Sequence, residues 1–196
     1  MTVILPEATL VVLTGPSGSG KTSLLRQMVG LIPAKGARRF LEGREYLPSD
    51  ISRFRAEVLL LSCGAAMIAG TIWDNLTFVF GLKNRGDRCF DESRARELME
   101  YLGLGYLRWS QRVRDLSLGE RHRLALVRAL LWDPKVLLAD EPFTGLDPES
   151  YTRAFKLLSR QARRPGRASL CVIHEPVPKG VDILFRLESG GLKRIF

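Results

Sequence analysis

Residues Gly15-Pro-Ser-Gly-Ser-Gly20-Lys21-Thr22 satisfy the pattern G-x-x-x-x-G-K-[ST] at every fixed position. No other stretch limits so sharply what the chain can fold into. It lies between an apolar run, Thr9–Leu13, and a segment with helical spacing, Ser23–Val29, which predicts strand, tight loop and helix in that order. Glycines let the backbone curl so that successive N–H groups point inward, and the helix N-terminus adds the positive end of its dipole. The result is a cradle for nucleotide phosphates. Gly15, Pro16, Ser17, Gly18, Ser19, Gly20, Lys21, Thr22 and Ser23 are expected to line it, with Lys21 reaching the β- and γ-phosphates and the Thr22 hydroxyl on Mg²⁺. Glycine- and serine-rich turns are common, but a full match set between strand and helix is not. A bound nucleoside triphosphate is the expectation.

The rest of the chain predicts an α/β fold. Further strand-like runs fall at Glu57–Ser62, Lys135–Ala139, Ser169–Ile173 and Ile183–Leu187. Several are continuously apolar without alternation, as strands buried on both faces of a parallel sheet must be. Helical segments between them give a layered core. From about Trp73 to Val113 this rhythm breaks and the chain reads as helical. Ala95, Leu98, Met99 and Leu102 share one helix face there, and Gly81–Asp87 and Gly103–Gly105 read as turns.

With 196 residues and 45% hydrophobic composition the chain can bury one substantial core. No apolar run is long enough to span a bilayer and no charged-then-apolar leader opens it, so a soluble, cytosolic protein is expected. The three cysteines, Cys63, Cys89 and Cys171, show no metal-ligand spacing, which suits a reducing compartment. The net charge of +9 fits an anionic partner, nucleic acid or a membrane face, and equally a solvated basic surface. Basic residues gather in Arg85–Arg88, Arg108–Arg114, Arg121–Arg128 and Arg160–Arg167, with little aromatic interleaving, so no nucleic-acid partner is expected.

Two further stretches carry chemistry. Val136-Leu-Leu-Ala-Asp140-Glu141 is a buried-strand pattern ending in two carboxylates. Asp140 is expected to hold Mg²⁺, through water, and Glu141 to polarise an attacking water as a general base. Leu116-Ser117-Leu118-Gly119-Glu120-Arg121 leads into Leu124, Val127 and Leu131 at helical spacing. Ser117 and Glu120 form a capping box, and the same helix start would present a hydroxyl and free N–H groups to an anion.

Together these elements resemble the ATP-binding-cassette (ABC) ATPases over nearly the whole chain. Gly15–Thr22 matches the Walker A loop, Leu116–Glu120 the signature motif, Val136–Glu141 Walker B, and Gly145-Leu146-Asp147 the D-loop. His174, after the strand Ser169–Ile173, matches the switch histidine. The resemblance implies a mostly parallel sheet flanked by helices in one domain, 1–196. Its parts would be a RecA-like core (about 1–72 and 132–196), a helical subdomain (about 73–131) and a reduced N-terminal antiparallel β-subdomain. It implies ATP and Mg²⁺ as ligands, Thr22 and Asp140 on the metal, and catalytic roles for Lys21, Glu141 as base and His174 on the γ-phosphate. It also implies a head-to-tail dimer, homodimeric or with a second ABC ATPase. Ser117, Gly119 and Asp147 would there complete the partner's ATP site. A separate transmembrane permease would place the chain on the cytoplasmic face of the inner or plasma membrane. Gly70-Thr-Ile-Trp-Asp-Asn-Leu76 resembles a segment of single-domain exporters, including metal-export systems.

Three positions depart from that pattern. Cys63 stands where the family has its Q-loop glutamine, and a thiol is a poor ligand for Mg²⁺. Leu118 replaces a signature glycine. Fourteen residues precede Gly15, with no aromatic before Phe40, so loose adenine recognition is expected, or a segment supplied from elsewhere. Two alternatives stay open: a non-transport ABC ATPase acting on nucleic acid or the ribosome, and a slow ATP-binding regulatory module.

Overall fold

The computed structural model describes residues 2–64, 66–174, 176–189 and 191–196. Strand β1 (Thr9–Thr14) runs through the middle of the molecule, with Leu10, Val11, Val12 and Leu13 fully buried. Its side chains alternate between two separate apolar clusters. Leu10 and Val12 face one, Val11 and Leu13 the other, the period of two that a strand between two layers imposes.

Parallel neighbours extend the sheet on both sides of β1. They are β4 (Val58–Leu61), β5 (Val136–Asp140), β6 (Ala168–Val172) and β7 (Ile183–Glu188), closed by β8 (Gly191–Arg194) antiparallel to β7. The order is β4-β5-β6-β1-β7-β8. One layer is α1 (Lys21–Met28) and α2 (Ile51–Glu57), whose Leu24, Leu25 and Phe54 join the cluster around Val11 and Leu13. The other holds α3 (Ile72–Thr77), α4 (Glu92–Tyr101), α5 (Leu118–Trp132) and α6 (Pro148–Ala162), packed on the cluster around Leu10 and Val12.

The expected strands are all present within one residue at each end. The apolar face of α4 is Ala95, Leu98 and Met99, continued by Leu102, none more than 3% exposed. The stretch read as helical from Trp73 to Val113 is less so. Beyond α3 and α4 it contains only short 3₁₀ turns at Phe78–Gly81 and Val113–Asp115, with irregular chain over 82–91. The antiparallel part is a two-stranded hairpin, β2 (Arg39–Leu41) and β3 (Arg44–Tyr46), which follows α1. Residues 2–8 form no strand, and the antiparallel pair expected at the N-terminal end is, among the described residues, the hairpin that follows the phosphate loop and α1.

Register brings the functional ends together. Leu61 of β4 is level with Ala139 of β5, Asp140 with Val172 of β6, and Val172 with Leu13 of β1. The segments leaving four adjacent parallel strands therefore emerge along one edge, the crevice where open α/β sheets bind ligands.

Candidate active site

The loop after β1 wraps the start of α1. Gly15 has φ +149°, and a Cβ there would come within 2.3 Å of the Leu187 carbonyl oxygen, so only glycine fits. Gly20 precedes α1 in a left-handed conformation and contributes no side-chain cap. The first N–H groups of α1 are thus left for a ligand. Lys21 is 7% exposed, and its ammonium donates to the carbonyl oxygens of Gly15 and Pro16, each at 2.9 Å. It curls over the loop it belongs to, aimed along the cradle. Ser19 Oγ is buried with no hydrogen-bond partner among the described residues.

Facing the loop is the end of β5. Asp140 is 3% exposed and its Oδ1 has no hydrogen-bond partner among the described residues. A buried carboxylate oxygen left open in this way is costly unless something fills its lone pairs. Asp140 and the Thr22 hydroxyl each offer only oxygen, the donor type that suits Mg²⁺. Glu141 follows in a left-handed backbone conformation, φ +51°, uncommon for a residue with a side chain. Its Oε1 accepts from His174 Nε2 at 3.0 Å, and its Oε2 from the Thr144 hydroxyl at 3.4 Å. Ser17, Gly18, Gly20, Lys21, Thr22, Ser23, Glu141 and His174 line one cleft of about 430 Å³.

Cys63 is exposed and lies two residues beyond Leu61, near enough to Glu141 and Asp140 for their charges to act on its thiol. Partial desolvation raises its thiol pKa, and the Glu141 and Asp140 charges raise it further. The protonated thiol is therefore the form near these carboxylates.

A second group sits around the start of α5. Ser117 Oγ accepts from the Glu120 N–H at 3.2 Å, while the Glu120 carboxylate accepts from the Ser117 N–H at 2.6 Å, the capping box read from sequence. Gly119 packs under the Gly145 carbonyl, where a Cβ would approach to 3.1 Å. Leu118 is half exposed and lies over Gly145. Asp147 caps α6, accepting from the N–H groups of Glu149 and Ser150 at 3.1 and 2.9 Å. Ser117, Gly119 and Asp147 are held together by this loop contact and lie outside the cleft lined by Lys21 and Glu141. Two residues outside the motifs complete the group, Arg123 having stood out only as part of the basic run Arg121–Arg128. His122 bonds the Thr144 carbonyl, and Arg123 reaches Ser150 Oγ at 2.5 Å.

A family model described as ABC transporter matches residues 1–144, the stretch that includes the phosphate loop, Ser117 and the paired carboxylates. The chain belongs to the ABC transporter ATPases. A sulfate/thiosulfate import ATP-binding protein from Cucumis sativus is 35% identical over 95% of this chain, which spans about half, 54%, of that relative's length. A lipoprotein-releasing system ATP-binding protein from Caulobacter vibrioides is 36% identical, covering 94% of this chain and 82% of the relative. Among solved structures, a dimeric post-hydrolysis state of an ATP-binding cassette bound to ADP and Pi superposes with a TM-score of 0.80. It covers 99% of this chain and 88% of that one at 21% identity, a likeness of ABC fold. The named relatives span import and release.

Proposed function

We propose that the chain is an ATP-binding and ATP-hydrolysing subunit of an ABC-type membrane transporter, with ATP held between the Walker A loop of one subunit and the signature motif of a second. One observation carries the reading. The phosphate loop, Glu141 and His174 line a single cleft, while Ser117, Gly119 and Asp147, which the ABC pattern assigns to the same nucleotide, form a separate group in the same chain. A head-to-tail pair of chains brings the two groups onto one ATP. The partner is a second copy or another ABC ATPase. Residues 73–131 would act as the helical subdomain that carries the signature motif.

In this reading the N–H groups at the start of α1 and the Lys21 ammonium hold the β- and γ-phosphates. Thr22 and Asp140 hold Mg²⁺, which supplies positive charge against the charge on the phosphate oxygens. Glu141 takes a proton from water as the water oxygen attacks the γ-phosphorus, releasing ADP and inorganic phosphate. His174 steadies the base through Oε1 and presents its ring at the γ-phosphate end of the cleft. No described helix is long and apolar enough to cross a membrane. The work of closure would then pass to a separate permease, with this chain on the cytoplasmic face.

The test is steady-state ATP hydrolysis with Mg²⁺. Wild type should turn over ATP, Lys21→Ala should lose nucleotide binding, and Glu141→Gln should bind but not hydrolyse. Absence of ATP binding by the wild-type chain would overturn the reading.

A further inference from the structure

His122 is buried in the second turn of α5, 7% exposed, although it belongs to no motif read from the sequence. Its Nδ1 bonds the Thr144 carbonyl oxygen. A carbonyl only accepts, so Nδ1 carries a proton and donates it. The ring's Nε2 is buried with no hydrogen-bond partner among the described residues. An unpaired nitrogen inside the protein costs stability, and an apolar side chain of similar volume would avoid the cost. What the histidine adds is its grip on Thr144.

Thr144 is tied directly to the catalytic carboxylate. Its N–H donates to the Glu141 carbonyl at 3.3 Å and its hydroxyl to Glu141 Oε2 at 3.4 Å. The other carboxylate oxygen accepts from His174. Glu141 is thus anchored on two sides by separate groups, while its own backbone sits at φ +51°, a conformation its surroundings must hold. The same helix grips this loop again through Arg123, 3.6 Å from Asp147 Oδ2.

We propose that His122 is a positioning residue for hydrolysis. By fixing the Thr144 carbonyl it keeps the Thr144 hydroxyl on Glu141 Oε2, and so aims the carboxylate that activates water. This rests on the reading of Glu141 as the base. A misplacement of about 1 Å at such a group can cost up to about 10²-fold in rate.

The test uses the full chain as wild type, His122→Leu, His122→Gln, Thr144→Val, the His122→Leu/Thr144→Val double variant, and Glu141→Gln as reference. Three quantities are measured: kcat and KM for MgATP, affinity for a fluorescent ATP analogue, and amide hydrogen exchange over 141–147. His122→Leu should lower kcat about tenfold with KM and analogue affinity within about twofold, and should speed exchange over 141–147. His122→Gln, whose amide can donate to the same carbonyl, should recover both. Thr144→Val should lower kcat comparably, and the double variant should be no worse than either single one. Unchanged kcat and exchange in His122→Leu, or multiplicative losses in the double variant, would overturn the proposal. If wild type and Glu141→Gln turn over alike, the base reading falls instead. The exchange data then decide by themselves whether His122 holds the loop.

Discussion

His174 Nε2 donates to Glu141 Oε1 across 3.0 Å, joining the segment that leaves β6 to the one that leaves β5. The two strands are adjacent and parallel, with Asp140 level with Val172, so the contact follows from register. His174 is 60% exposed in its side chain and Glu141 only 25%, which puts the imidazole at the mouth of the cleft and the carboxylate inside it.

Removing the imidazole should free one oxygen of the Glu141 carboxylate while leaving Lys21 and the loop around it in place. His174→Ala is expected to lower kcat by about 10²-fold while nucleotide affinity changes little. Parallel measurement of turnover and equilibrium nucleotide binding checks this. A loss of binding as large as the loss of turnover would show that His174 serves the cradle and not the chemistry.

Cys63, whose thiol lies in the field of Glu141 and Asp140, offers sulfur where an amide side chain would offer a hard oxygen. Cys63→Gln should raise hydrolysis about tenfold, or lower the Mg²⁺ concentration for half-maximal rate by a similar factor. Mg²⁺ titrations of both proteins at saturating ATP decide it. Identical rates and midpoints would mean that the thiol is a bystander.

The phosphate loop and the paired carboxylates were legible because their chemistry demands fixed residue types at fixed spacing beside a strand. The strands themselves were legible because burial on both faces leaves little but apolar residues, as in Leu10–Leu13. Other features hid for physical reasons. The β2–β3 hairpin turns at Glu42-Gly43, both at positive φ, but its three-residue strands are too short to show alternation. α2 is a seven-residue helix whose last residue, Glu57, runs directly into β4, so apolar periodicity had no room to appear. His122 looks like any polar residue in a helix. Its meaning comes from Thr144, a partner 22 positions away that only the folded loop brings near.

Gly15 offers a test of the loop geometry. A methyl group there would meet the Leu187 carbonyl at 2.3 Å in a backbone conformation closed to other residues. Gly15→Ala should destabilise the fold by about 1–3 kcal/mol and abolish ATP binding. Thermal unfolding with and without ATP reports both. Retention of an ATP-induced rise in Tm would contradict the assignment of this loop.

Asp133, which ends α5 at φ +51°, receives Arg167 Nη2 and Arg164 Nη1, each at 2.7 Å, and Gln161 Nε2 at 2.8 Å. Burial works to raise its pKa, but the hydrogen bonds from Arg167 and Gln161 and the charges of Arg167 and Arg164 bring it down from 3.8 to about 2. A carboxylate depressed in the folded state stabilises above its unfolded pKa and loses that stabilisation as pH falls through the folded value. Wild type should therefore exceed Asp133→Asn in Tm by a constant margin above about pH 5, and the margin should shrink from pH 4 towards pH 2. A margin independent of pH over that range would show that the charge on Asp133 contributes nothing.

The central claim is that two chains complete one another's ATP sites, the cleft of Lys21 and Glu141 meeting the partner's Ser117 and Gly119. The most direct measurement is the mass in solution of Glu141→Gln, by size-exclusion chromatography with light scattering, with and without MgATP. The prediction is a monomer without nucleotide and a stable dimer with ATP, lost again when Ser117→Arg is added. A Glu141→Gln protein that binds ATP and stays monomeric, or a dimer indifferent to Ser117→Arg, would contradict it.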